Sequence, residues 1–319
     1  MGNLMKYTFL LPAYKAKYLN KAIESILNQS YGDFCLIISD DCSPEDLKSI
    51  VDSFNDERIV YRRNEVNVGG KNLVEHWNLL LELVDTEYLI LASDDDMYET
   101  SFLSEVNMMI SCYPKVDLIH ARVQMIDSDG CIIKRDAMYE EYVSQLDFLT
   151  QLGFVNHIEC IANYVFRTSA LKAMGGFVSF PLAWTSDTAT VNLMSKNGVA
   201  NTTSVLFNFR MSGINISSQE TLPTIARMKC LAICSFVEQM KTLFKGLQKQ
   251  ETPLKENTYK LAYKIQIDDA IRIAGYYSCA LSWKEFISFV HKYPFSKFEV
   301  YTLLKKWIVY KFKNYKEKT

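Results

Sequence analysis

The chain has 319 residues, 49% hydrophobic and 23% charged, a globular balance with room for one large α/β domain plus an appendage. It has no apolar run of the length a membrane-spanning helix needs, and its eight scattered Cys, with no CxxC pair, fit reduced thiols in a cytosolic protein rather than a disulfide framework or a zinc centre. The net charge of −2 hides a split: from Glu220 onward 18 Lys and Arg face 9 Asp and Glu, leaving 17 basic against 28 acidic residues in 1–219, so an acidic body precedes a basic tail.

The start of the chain, with one Lys before a short apolar run, reads as a first β-strand over 7–12 rather than as a signal peptide. Leu19, Ala22, Ile23, Ile26 and Leu27 follow at helical spacing. "FCLIIS" (34–39) is a continuous apolar run, as in a parallel strand covered on both faces, and it stops at Asp40 and Asp41. Ser43-Pro44-Glu45-Asp46 signals a helix start with Ser43 as the cap. "RIVYRR" (58–63) is a third strand. A loop over 64–71 then leads to the helical stripe Leu73, Trp77, Leu80, Leu81 and Val84. "EYLILAS" (87–93) is a fourth strand, and it runs straight into Asp94, Asp95 and Asp96.

Strand and helix alternate through these residues, which predicts a doubly wound, mostly parallel sheet with helices on both faces. Such sheets bind ligands beyond the carboxyl ends of their strands. The two acidic clusters should therefore converge on one edge. Clustered carboxylates repel, and a hard cation, Mn2+ or Mg2+, relieves that repulsion with substrate phosphates completing its shell. Solvated loop acids are the plain alternative.

The stretch "FLLPAYKAKYLNKAIESILNQSYGDFCLIISDDCSPED" resembles the opening of glycosyltransferase family 2, inverting enzymes of the GT-A fold. The matching groups are Pro12-Ala13-Tyr14, Ile26-Leu27-Asn28-Gln29-Ser30-Tyr31 and Asp40-Asp41-Cys42-Ser43, and "ASDDDMY" is similar to the metal-binding segment of that family. The resemblance implies a nucleotide site of Pro12, Tyr14, Asp41, Lys71, Asp94 and Arg210. Tyr14 would lie against the base, Asp41 would hydrogen-bond it, and Asp94 would face the ribose. Asp95 would be the main metal ligand, with Asp96 near the metal or supporting it. Asp40 reads as a structural partner that caps the next turn. The chain departs from the pattern at Ser93, where the family often has Asp, and at Cys42, where it often has Gly or Asn. Tyr14 packing its turn, Lys71 solvated and Arg210 as a surface charge are the competing readings.

Further on, "VDLIHARVQMIDSDGCIIKR" reads as strand, Asp-Gly turn and strand. "YVFRTSALKAMGGF" resembles a family segment in which a strand enters a short helix stopped by Gly-Gly, with Gly175 free to take the left-handed cap. Ser186-Asp187 opens a helix ending near Asn197-Gly198. The family places its catalytic acid at such a start, which makes Asp187 the candidate base beside Trp184 as an acceptor-stacking surface. Ser186 or Asp187 as a simple N-cap is the alternative. His157 and Glu159 are expected to border the acceptor. Arg210 lies in "FNFRMSGINISSQ" (207–219), where it would bind phosphate in two-pronged fashion.

Residues 1–219 are thus expected as the GT-A domain, with 1–115 binding nucleotide sugar and 116–219 the acceptor, and 220–319 as a basic helical region. The mixture of Lys with Phe, Tyr and Trp over 295–319 suits an anionic membrane surface; a helical pack-back domain is the rival. Nucleic acid is not an expected partner, because the body is acidic. The expected activity is transfer of a sugar from a nucleotide diphosphate sugar, UDP-sugar first, to a saccharide or lipid-linked saccharide in surface polysaccharide synthesis, in the cytoplasm and peripherally on the inner face of the membrane. A sugar nucleotidyltransferase would carry a Gly-rich loop after the first strand, which "LLPAYKAKYL" lacks. A non-catalytic nucleotide-sugar or glycan-binding module is the other alternative.

Overall fold

The structure, a computed structural model, describes residues 5–151, 153, 156–211, 223–247, 255–293 and 295–316. It divides into two compact units: the described parts of 1–178 with 190–214, and those of 179–189 with 215–319. Residues 179–189 therefore group with the C-terminal helices, whereas a boundary at 219 assigns them to the GT-A body.

The first unit is built on one sheet. Its strands are β1 (Tyr7–Ala13), β2 (Phe34–Asp40), β3 (Ile59–Arg63), β4 (Tyr88–Leu91), β5 (Met97–Tyr98), β6 (Leu118–Ile126), β7 (Ile132–Arg135), β8 (Tyr142–Val143), β9 (Tyr164–Arg167) and β10 (Val199–Arg210). The order is β3-β2-β1-β4-β9-β6-β10-β5, with β7 on β6 and β8 on β10. β3, β2, β1 and β4 are all parallel. Beyond β4 the sheet is mixed, because β9 runs antiparallel to both β4 and β6 while β10 runs parallel to β6.

Helices α1 (Leu19–Leu27), α2 (Leu47–Asp52), α3 (Leu73–Leu81), α4 (Phe102–Cys112), α5 (Gln145–Gln151) and α6 (Thr168–Ala173) intervene, and α7 (Ser186–Met194) follows. Phe9 shows why β1 is central. It is fully buried and packs edge-on against Phe34 and Tyr98, with ring centroids 5.6 and 5.2 Å apart, a favourable geometry for aromatic pairs.

The strand and helix expectations hold to within a few residues, with one exception. α2 begins at Leu47 and is capped by Asp46, whose side chain accepts from Ser49 N. Ser43 instead closes the turn before it, its N–H donating to Asp40 Oδ1 at 2.8 Å and its hydroxyl to Tyr14 O at 2.6 Å. A side chain spent on that turn cannot also cap the helix.

The second unit holds α8 (Pro223–Leu247), α9 (Glu256–Tyr263), α10 (Asp269–Ser278), α11 (Trp283–Lys292) and α12 (Lys297–Lys316). Cys230, Met240, Phe244, Ile271, Ala274 and Leu303 are buried there. Among the described residues no helix is long and apolar enough to cross a membrane.

Candidate active site

Two acidic clusters follow β2 and β4, and the structure shows what each carboxylate does. Asp40 is fully buried and receives Tyr61 Oη at 2.6 Å and the Arg63 guanidinium. It caps the turn at Ser43, as a structural residue would.

Asp41 organises the loop before α3. Its Oδ1 accepts from Asn64 Nδ2 (2.8 Å) and Val68 N (2.9 Å), and its Oδ2 from Gly69 N (2.7 Å). The approach is so close that a Cβ on Gly69 would meet Asp41 Oδ2 at 2.9 Å, which is why glycine stands there. Buried His76 lies beneath, its Nε2 3.1 Å from Ser39 Oγ and 3.3 Å from Asn64 Nδ2. Burial pushes the His76 pKa down, against the pull of Asp41, and so favours the neutral ring. Asn64 and His76 carry no sequence pattern that marks them as part of this loop. Gly69-Gly70 was the one local signal; a His on an apolar helix face gives none. Cys42 takes a φ of 56°, the left-handed region, which accounts for the Gly or Asn usual in the family at this position.

The triplet after β4 divides its labour. Asp94 Oδ2 accepts two consecutive backbone amides, Tyr14 N and Lys15 N, each at 2.8 Å. That clasp ties the turn after β1 to the end of β4 and leaves the Tyr14 side chain exposed. Pro12 stands beside Ser39 in the β1–β2 register, and Lys71 is exposed at the end of the Asp41 loop. Asp96 is buried, and its Oδ1 accepts from Arg210 N at 2.8 Å. Asp95 lies between them and takes the Ser93 hydroxyl on Oδ1. Burial pushes the pKa of Asp94 up and that of Asp96 well up, and the charge of Asp95 adds to both shifts.

This donor set fits a hard divalent cation. Three adjacent carboxylates, two of them already destabilised as anions by burial and mutual repulsion, gain from a positive charge beside them. Among the described residues no group of three His, Cys, Asp or Glu is placed to hold a metal ion by itself. Mg2+ typically uses only one or two protein carboxylates beside substrate phosphates, and Asp95 and Asp96 are the residues that would hold it.

Arg210 corrects an expectation. It is 1% exposed, and its guanidinium is turned into the protein. Nε donates to Asp95 O (2.9 Å), Nη1 to Asp127 O (3.0 Å) and Ser128 O (3.3 Å), and the group lies 4.5 Å from the Tyr18 ring centroid. With its donors occupied, it fastens the triplet to the β6–β7 turn instead of meeting phosphate. β10 continues through Phe207–Arg210, and residues 212–219 of the segment assigned to the diphosphate lie outside the described residues.

His157 and Glu159 precede β9, which begins beside the carboxyl end of β4. They thus share the sheet edge of the triplet. His157 Nε2 is 2.7 Å from Glu159 Oε2, and its Nδ1 is 2.6 Å from Tyr139 Oη, whose hydroxyl proton is donated to Asp136 Oδ1. Beneath them His120 Nε2 is 3.5 Å from Asp136 Oδ2. Burial drives this last pair toward neutrality, pushing Asp136 up and His120 down to about 3.

The other candidates lie in the helical unit. Leu182, Ala183 and Thr185 all have positive φ, at 60°, 54° and 62°. Left-handed backbone is uncommon for any non-glycine residue and a real outlier for β-branched Thr185. Such strain clusters at functional sites. The turn presents Trp184 and then Asp187 in the first turn of α7, where Asp187 Oδ1 accepts from Thr188 N at 2.8 Å. Trp184 is less open than expected of a stacking platform, because buried Lys229 places Nζ 4.0 Å from its ring centroid. A cleft of about 690 Å³ lined by Tyr113, Tyr142 and Lys196 lies near the start of β6, at the sheet edge away from the triplet.

The family model described as "Glycosyl transferase family 2" matches residues 8–175. The chain belongs to that family. Its N-terminal body is a family 2 glycosyltransferase domain of the GT-A fold. Among curated relatives, a putative colanic acid biosynthesis glycosyl transferase of Escherichia coli is 34% identical over 107 residues, 33% of this chain and 37% of the relative. The GalNAc(5)-diNAcBac-PP-undecaprenol beta-1,3-glucosyltransferase of Campylobacter jejuni is 34% identical over 102 residues, 31% and 32% of the two chains. These matches span about a third of the curated relatives' length. Among solved structures, S. aureus TarS 1–349 in complex with UDP-GlcNAc superposes with a TM-score of 0.59 at 17% identity, covering 89% of each chain. The mannosyltransferase PcManGT of Pyrobaculum calidifontis, in complex with GDP-Man and Mn2+, gives 0.52 at 14%, covering 98% and 88%. At such identities the superpositions speak for the fold.

Proposed function

We propose that the protein is an inverting, metal-dependent glycosyltransferase that moves a sugar from a UDP-sugar to a hydroxyl of a saccharide or lipid-linked saccharide, in surface polysaccharide synthesis. The observation that carries this reading is the Asp94–Asp95–Asp96 triplet, held at the end of β4 by backbone amides on either side. The UDP-GlcNAc complex of the TarS neighbour supports the donor class, and the names of the two bacterial relatives support the acceptor class.

In this reading Asp95, backed by Asp96, holds Mn2+ or Mg2+. The cation supplies charge neutralisation for the departing diphosphate. Tyr14 offers its exposed ring to the base, and the Asp41 loop shapes the site around it. Asp187 takes the proton of the acceptor hydroxyl as that oxygen bonds to the anomeric carbon and the carbon–diphosphate bond breaks. His157 and Glu159 line the acceptor side. The enzyme works in the cytoplasm, peripherally on the inner face of the membrane.

Calorimetry with UDP, with and without Mn2+, tests the reading. Wild-type protein is expected to bind UDP in a Mn2+-dependent way, and Asp95→Ala to lose that dependence while melting normally. An unchanged metal dependence in the variant would remove Asp95 from the site.

A further inference from the structure

α12 packs through one face and leaves another bare. Leu303 is fully buried, Trp307 donates to Leu281 O at 3.1 Å, and Glu299 is spent on Lys241 at 2.9 Å and on Ser296 N at 2.6 Å. The helix is thus anchored to its own unit. On the outer side Phe298 is 77% exposed, Tyr301 60%, Ile308 38% and Val309 48%. At 100° per residue these positions, with Lys305 among them, fall within about 100° of arc, one stripe along the helix. Water-facing apolar side chains in a continuous stripe are uncommon on a free monomer.

We infer that this stripe is a docking face for an anionic lipid surface, and that α12 lies along the membrane plane while remaining folded on its unit. The inference deepens the peripheral localisation proposed above. Charge chooses the occupant. α12 carries six Lys and a single acid, Glu299, which is already paired inside the protein. A second copy of the chain would press like-charged stripes together and bury Lys305 against its counterpart, a costly arrangement. Anionic headgroups accept exposed Lys305 within the stripe, whose stem can lie along the apolar layer while its ammonium group reaches the surface, whereas Lys306 donates to Arg272 O at 2.6 Å and Lys311 lies 5.4 Å from the Trp307 ring centroid.

The test uses full-length protein with vesicles of phosphatidylcholine alone or mixed with phosphatidylglycerol. Co-sedimentation is expected only with the mixed vesicles and should weaken severalfold at high salt. The triple variant Phe298→Ser, Tyr301→Ser, Ile308→Ser should lose at least about tenfold in partitioning, with an unchanged melting curve because all three side chains face water. Equal binding of wild type and variant, or no binding of wild type to the mixed vesicles, overturns the inference. So does a wild-type dimer in sedimentation velocity that the triple variant abolishes. Mn2+-dependent UDP binding measured on the same variant should match wild type, which separates failure of the docking face from failure of the donor site.

Discussion

The backbone N–H of Arg210 donates to Asp96 Oδ1 at 2.8 Å, joining residues 114 apart in the chain. The Arg210 side chain then reaches Asp95 O from the same residue. The last residue of β10 thus holds the second and third acids of the triplet, one through its amide and one through its guanidinium. The buried guanidinium holds the backbone of the triplet at Asp95 O, while the Arg210 amide holds the Asp96 carboxylate.

Arg210→Met should therefore act first on stability. It strands carbonyls of Asp95, Asp127 and Ser128 that now accept from the guanidinium, at a cost of about 2–4 kcal/mol. Urea unfolding measures this as a lower midpoint. A direct phosphate ligand would show the opposite pattern, a normal midpoint with weakened UDP binding.

Gly69→Ala tests the Asp41 loop. The new Cβ would sit 2.9 Å from Asp41 Oδ2, so the loop amides must withdraw from that carboxylate. A loss of about 1–2 kcal/mol in stability is expected, together with weaker UDP binding by calorimetry. Gly32→Ala, with open space around its Cβ, serves as the control and should leave binding at the wild-type value.

Asp187→Asn should lower kcat by about 10² to 10⁴, the usual worth of a positioned base. Asparagine keeps the size of the side chain and its ability to accept from Thr188 N. Donor affinity should stay within about a factor of three, since this group is assigned to the acceptor. Near-normal turnover would reduce Asp187 to a first-turn residue of α7 and move the search to Glu159.

His120 gives a prediction in pH. Burial lowers its folded pKa to about 3, against about 6.5 in the unfolded chain. Below pH 6.5 the unfolded state therefore binds a proton that the folded state refuses. Stability falls as pH drops through that window, by about 2 kcal/mol at pH 5 from this group alone. Buried Asp136 is shifted the other way, so the comparison must isolate His120. The loss in melting temperature between pH 7 and pH 5 should be smaller in His120→Asn than in wild type, and equal losses would refute the assignment.

Local pattern was enough to determine much of this protein. The apolar runs at 7–12, 34–39 and 87–93 became β1, β2 and β4, because continuous apolar runs are what a sheet covered on both faces requires. The acids after β2 and β4 then had to reach one edge, since parallel strands end on the same side. Tertiary structure alone decided what each acid does there. Asp94 and Asp96 went to backbone amides, Asp41 to a loop more than twenty residues downstream, and Arg210 to the interior. It also decided that residues 179–189, with Trp184 and Asp187, group with the C-terminal helices. A sequence shows that a side chain carries a charge or a donor, but its partner is fixed by contacts between distant segments that local periodicity does not encode.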